Sequence, residues 1–170
     1  MRPGARVAGI FLMCAIACSH LSAAQCGSRK SVSLLTSGAT SAGTVTIAND
    51  PSRLVITYTT INDAWAITAV HLAVAESVAG IPRYESENPI PEHFLYQNFF
   101  DPPVHTIALP VPLDKLKPGM TVYVAAQAEV RESGGEQEPQ AAWGQGPRFN
   151  NHNPATYIAY QVQPCGKIGG

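Results

Sequence analysis

From Thr44 onward, apolar and polar positions alternate. Val45 and Ile47 are interleaved with Thr44 and Thr46, and Asn49-Asp50-Pro51 then carries a turn signal. Leu54, Ile56 and Tyr58 alternate with Val55, Thr57 and Thr59, a β-branched and aromatic run suited to a strand. Asn62-Asp63 marks the next turn, and Trp65 to Val74 reads as a long strand with Val70, Leu72 and Val74 on one face. His105, Ile107 and Leu109 alternate with Thr106 and Ala108, and Pro118-Gly119 is a further turn. Val122, Val124, Ala126, Ala128 and Val130 share a face opposite Tyr123, Gln127 and Glu129. Thr156 to Val162 completes the set with Ile158, Tyr160 and Val162 in phase, and Ser31 to Leu35 supplies a first strand.

No segment holds a helical period over a useful length. One-sided alternation predicts antiparallel pairing with a wet face. The expected fold is therefore an all-β, Ig-like or Greek-key antiparallel sandwich of about seven strands. Two long stretches interrupt it. Ala79 to Pro103 is rich in proline and holds Tyr84, Phe94, Tyr96, Phe99 and Phe100. Arg131 to Pro154 passes from a polar Gly-rich tip to Trp143-Gly144-Gln145-Gly146 and Phe149-Asn150-Asn151-His152-Asn153. Loops of such length are often functional.

The start of the chain follows another pattern. Arg2 and Arg6 precede the uncharged apolar run Val7 to Cys18, and Ser22-Ala23-Ala24 supplies small residues. This is the layout of a secretory signal cleaved after Ala24, leaving residues 25–170 as a single domain. The apolar run is short of the roughly 20 residues that span a bilayer, and no other segment is apolar enough to do so. A lipid anchor at Cys18, preceded by Ala15-Ile16-Ala17, is the minor alternative. With Cys14 and Cys18 removed, Cys26 and Cys165 remain near the two ends, and an oxidising compartment is expected to join them, the alternatives being two free thiols or Cys26 paired with another chain. The expected location is secreted, periplasmic or cell surface.

Several sequence stretches, in order, carry a resemblance. They are Asp63-Ala64-Trp65, Val70-His71-Leu72-Ala73-Val74, Asn88-Pro89-Ile90-Pro91, Phe94-x-Tyr96 and Asp101-Pro102-Pro103-Val104. Ala141-Ala142-Trp143-Gly144-x-Gly146-x-Arg148-Phe149 and Ala155-Thr156-Tyr157 follow them. Over most of residues 42–162 the chain resembles an extracellular β-domain of secreted and surface-attached bacterial proteins. The resemblance implies export and an all-β fold and brings no activity with it. The chain departs from that pattern at Asn153-Pro154, where an aromatic is expected.

Composition narrows the function. Hydrophobic residues make up 45% and charged residues 14% of the 170, with a mean hydropathy of +0.01, which excludes a disordered chain. A formal net charge of -1 offers no basic excess for nucleic acid. There is no Gly-x-Ser-x-Gly elbow, and Ser133 has no histidine near it in sequence. His71, His93, His105 and His152 show no metal-ligand spacing, and Glu85, Glu87 and Glu92 fit no calcium loop. Neither a metal nor a cofactor is expected. Glu129, Glu132 and Asp101 are carboxylates without a visible opposite number.

Binding is the better-supported class. Trp143, Tyr84, Phe94, Tyr96 and Phe149 would form an aromatic surface, with Asn150 and Asn151 giving directional hydrogen bonds. The expectation is a non-enzymatic exported module binding a glycan or a surface protein. A structural envelope or matrix module without a small ligand is the rival. A hydrolase whose site is assembled from distant residues is the weaker third reading. Trp65 reads as core or sheet-face packing.

Overall fold

The computed structural model describes residues 25–85, 87–134 and 137–166. The expected signal segment, with Cys18, lies outside the described residues.

Nine strands are present among the described residues, rather than about seven: β1 (Cys26–Thr36), β2 (Ser41–Asn49), β3 (Arg53–Thr60), β4 (Trp65–Ala75), β5 (Tyr96–Val104), β6 (Thr106–Pro112), β7 (Thr121–Glu132), β8 (Gln140–Gly144) and β9 (Ile158–Gln161). The two additional strands, β5 and β8, lie within the stretches expected to be loops. Strand β5 contains Pro102 and Pro103, which masked it, but it lies at the end of the sheet, where proline costs no ladder bond. Strand β8 is short, and its Ala141 and Ala142 give no contrast between faces.

All pairings are antiparallel, in the order β5-β4-β7-β8-β1-β2-β3-β6, with β9 also paired to β7. The sheet folds back on itself into a sandwich that is nearly a barrel. The link between its halves is narrow: β8 and β1 share only Leu34–Gly144, Leu35–Trp143 and Thr36–Ala142. Gly144 sits at this corner, where a Cβ would press on Ile158 at 2.8 Å. The end strands β5 and β6 are joined through His105, whose Nδ1 lies 2.9 Å from the Trp65 carbonyl.

The alternating apolar sets meet between the two halves. Val45, Ile47, Leu54, Ile56 and Tyr58 face Ile67, Val70, Leu72, Val122 and Val124, all fully buried. Tyr58 crosses the core to donate to the His71 carbonyl at 3.4 Å, and burial pushes its phenol pKa up. A register shift between Ile67 and Ala69 lets Trp65, Ile67, Val70 and Leu72 all enter the same core. The extra residue reverses the alternation there. Cys26 and Cys165 are joined, with a sequence separation of 139.

Candidate functional site

Loop segments carrying Ile81, Phe94, Phe149 and Ala155 fold over the outer face of β4, β7 and β8. That face carries Ala73 and Ala125, whose small side chains leave room for rings. Phe94, Trp143 and Phe149 fill the room and are 2%, 7% and 8% exposed. Phe94 meets Trp143 edge-on at 6.4 Å, and Tyr157 meets both Phe149 and Tyr123. A Cβ at Gly146 would run into the Tyr157 carbonyl, so that glycine serves close chain approach. It does not free the Trp143 ring.

The seven binding residues expected from sequence are therefore dispersed. Trp143, Phe94 and Phe149 are interior and present no ring face to solvent. Tyr96 is half-buried against the main core. Tyr84 is exposed, and Asn151 is exposed at the tip of its loop. Asn150 ties the two long loops together, its amide donating to Asn88 Oδ1 at 2.7 Å, while its Oδ1 accepts from the His152 N–H. No continuous aromatic surface results, because burying large rings over an alanine-lined sheet face removes far more apolar area from water than leaving them in solution.

A different set of side chains meets beside this layer. Strand register places Gln97, His71, Gln127 and Trp143 in one row across β5, β4, β7 and β8. The next row on the same face is Phe99, Ala69, Glu129 and Ala141. Phe99 is 71% exposed and stands edge-on over the His71 ring at 5.7 Å. His71 Nε2 lies 3.9 Å from Glu129 Oε1, on a carboxylate open to solvent. Gln97 closes one side, its amide donating to the carbonyls of Glu92 and Phe94 at 2.8 Å.

His71 and Gln127 are buried, yet His71 Nδ1 and Gln127 Oε1 have no hydrogen-bond partner among the described residues. Leaving a buried polar atom unsatisfied costs about 1–3 kcal/mol, and two side by side in one cross-strand pair mark the spot. The face offers a ring, a carboxylate, an imidazole and an amide within two adjacent rows. Such groups suit hydrogen bonding and stacking with a polyhydroxylated ligand. His71, Phe99 and Glu129 are visible in the sequence, but only the register shift and the pairing of β5 bring them together. Among the described residues, no three His, Cys, Asp or Glu side chains cluster as a metal would need, and no helix is long and apolar enough to cross a membrane.

No protein-family profile and no curated protein matches the chain. Among solved structures, it is similar to a proposed carbohydrate-binding protein from Bacteroides uniformis at 10% identity and a TM-score of 0.36. The match covers 79% of this chain, which spans 57% of that protein.

Proposed function

We propose that the protein is a non-enzymatic exported binding module, and that it recognises a glycan on the face carrying Phe99, His71, Gln127 and Glu129. The observation that carries this reading is the pair of buried, unpartnered atoms, His71 Nδ1 and Gln127 Oε1, next to an exposed ring. A sugar places hydroxyl groups around an apolar ring face. The hydroxyls can donate to the open carboxylate of Glu129 while Phe99 covers the C–H face, and a shift of the exposed Phe99 ring over His71 would let them reach His71 Nδ1 and Gln127 Oε1, which are closed to solvent. The Cys26–Cys165 bridge supports an oxidising compartment.

The test is a glycan-binding screen of the full-length, oxidised protein beside Phe99→Ala and Gln127→Leu. Saturable binding to a glycan, weakened about tenfold or more by either change with the fold intact by circular dichroism, is expected. Binding that survives both changes would move the site elsewhere. No glycan bound by well-folded protein would favour the structural-module reading.

A further inference from the structure

We infer a second, separate site: a groove on the outer face of β1, β2 and β3 that binds an oxyanion carried on a carbohydrate, a uronate carboxylate or a sulfate ester. The groove holds about 300 Å³ and is lined by Arg29, Arg53, Thr46, Thr57, Val55 and Asp50 among others.

Its charge comes from two guanidinium groups. Strand β1 changes register against β2 between Cys26 and Lys30, so Arg29 lies in a bulge. Bulges re-aim side chains, and Arg29 reaches the groove with no ion pair or hydrogen bond to any described residue. Arg53 stands across from it at the β2–β3 turn. Only its Nε is engaged, donating to Asp50 Oδ2 at 2.8 Å, so its two terminal nitrogens are free among the described residues. Among the described residues, Asp50 is the one acidic side chain lining the groove. Its Oδ1 already accepts from the Ser52 and Arg53 N–H groups and the Ser52 hydroxyl, and its negative charge offsets only one of the two arginines. A planar guanidinium with free N–H groups matches the oxygens of a carboxylate or sulfate.

The surroundings favour an oxyanion borne on a sugar over a free ion. Register aligns Ser31, Thr46 and Thr57 in one row and Ser33, Thr44, Thr59 and Thr106 in the next. Thr46 and Thr57 line the groove itself, and the rows continue its floor across four strands. Ser31 and Thr46 share a hydrogen bond at 3.0 Å, so the hydroxyls are held in place. Together they form a flat field of donors and acceptors beside a positive groove, suited to an extended chain with ring hydroxyls and periodic negative charge.

The site lies on the opposite half of the sandwich from Phe99 and His71 and does not depend on the reading given there. It is tested by calorimetry on the oxidised full chain with polygalacturonate, heparin, neutral dextran and sodium sulfate. At least one acidic polymer should bind, weakening as salt rises, and the one that binds identifies carboxylate or sulfate as the oxyanion. Arg29→Glu should lower affinity tenfold or more, and Thr46→Val with Thr57→Val should lower it several-fold with both arginines present. Phe99→Ala should leave it unchanged. Binding of dextran by Phe99→Ala as tight as that of the acidic polymers, indifference to Arg29→Glu, or loss of acidic-polymer binding on Phe99→Ala would overturn the assignment. Sodium sulfate binding as tightly as the polymers, with no effect of the threonine changes, would reduce the groove to a free-anion site and overturn the carbohydrate part.

Discussion

Asp50 is 4% exposed at the turn between β2 and β3. Burial alone would raise its carboxyl pKa. The Arg53 guanidinium, the Ser52 hydroxyl and two backbone N–H groups outweigh that and hold it at about 2, below its ordinary 3.8. A depressed carboxyl stabilises the fold fully above its unfolded value and loses that contribution as pH falls toward about 2. Asp50→Asn should lower the melting temperature at neutral pH, by a loss of about 1–3 kcal/mol. It should also flatten the acid side of the stability curve, a change that thermal melts from neutral to strongly acid pH would record. The neighbouring Asn49 was legible only as a turn residue. Its actual work is long-range: its Oδ1 accepts from the Tyr160 hydroxyl at 2.9 Å and the Gln163 N–H at 2.8 Å, while its Nδ2 donates to the Gln163 carbonyl at 3.1 Å. Local pattern reading cannot foresee partners more than a hundred positions away.

At the level of elements, alternation located seven of the strands and could not locate β5 and β8. Val122 to Val130 in β7 is readable because one face is wholly apolar and the other is mixed. Strand β5 is not, since its edge position relaxes the usual demand for alternation and exclusion of proline. The long stretches were legible as aromatic and unusual, but whether their rings face water depends on what the sheet beneath offers. Ala73 and Ala125 offer space, and the rings take it. This predicts opposite consequences for two aromatic truncations. Trp143→Ala would empty a packed position under both loops and should cost about 3–5 kcal/mol, with exposure of the loop backbone seen as faster amide exchange over residues 76–95 and 145–157. Phe99→Ala removes a largely exposed ring, so denaturant midpoints should move little, within about 0.5 kcal/mol. The reverse order would mean that the capping layer contributes less than its burial implies. The candidate glycan face was hidden for a related reason. Alternation says which side of a strand His71 occupies, but its row partners Gln97 and Gln127 follow from register, and register turns on the irregularity at Thr68.

Across the whole molecule, the two ends of the described chain are bound to the same corner. Cys26 pairs with Asn49 in the β1–β2 ladder and is bridged to Cys165, while Gln163 is held by Asn49. The bridge spans 139 residues, so it restricts nearly all of the unfolded domain. Chain-entropy reasoning gives such a closure a few kcal/mol, and loss of a native bridge in a small domain costs about 2–5 kcal/mol. Its local effect differs from its global one. The bulge that carries Arg29 begins at Cys26, with the ladder resuming only at Lys30, so the bridge anchors the free side of that bulge. Replacing both cysteines by serine should therefore do two separable things. Global stability should fall by the few kcal/mol just given, read from urea midpoints. At a temperature where the variant is still folded, acidic-polymer affinity at the Arg29–Arg53 groove should also fall, because Arg29 then samples more positions before binding. Glycan affinity at the Phe99 face should stay level, since that face rests on β4, β5 and β7 and shares no residue with the bulge. A loss at both faces in proportion to stability would assign the bridge a purely global role; a loss confined to the arginine groove ties one covalent link to both the closure of the fold and the aim of a single side chain.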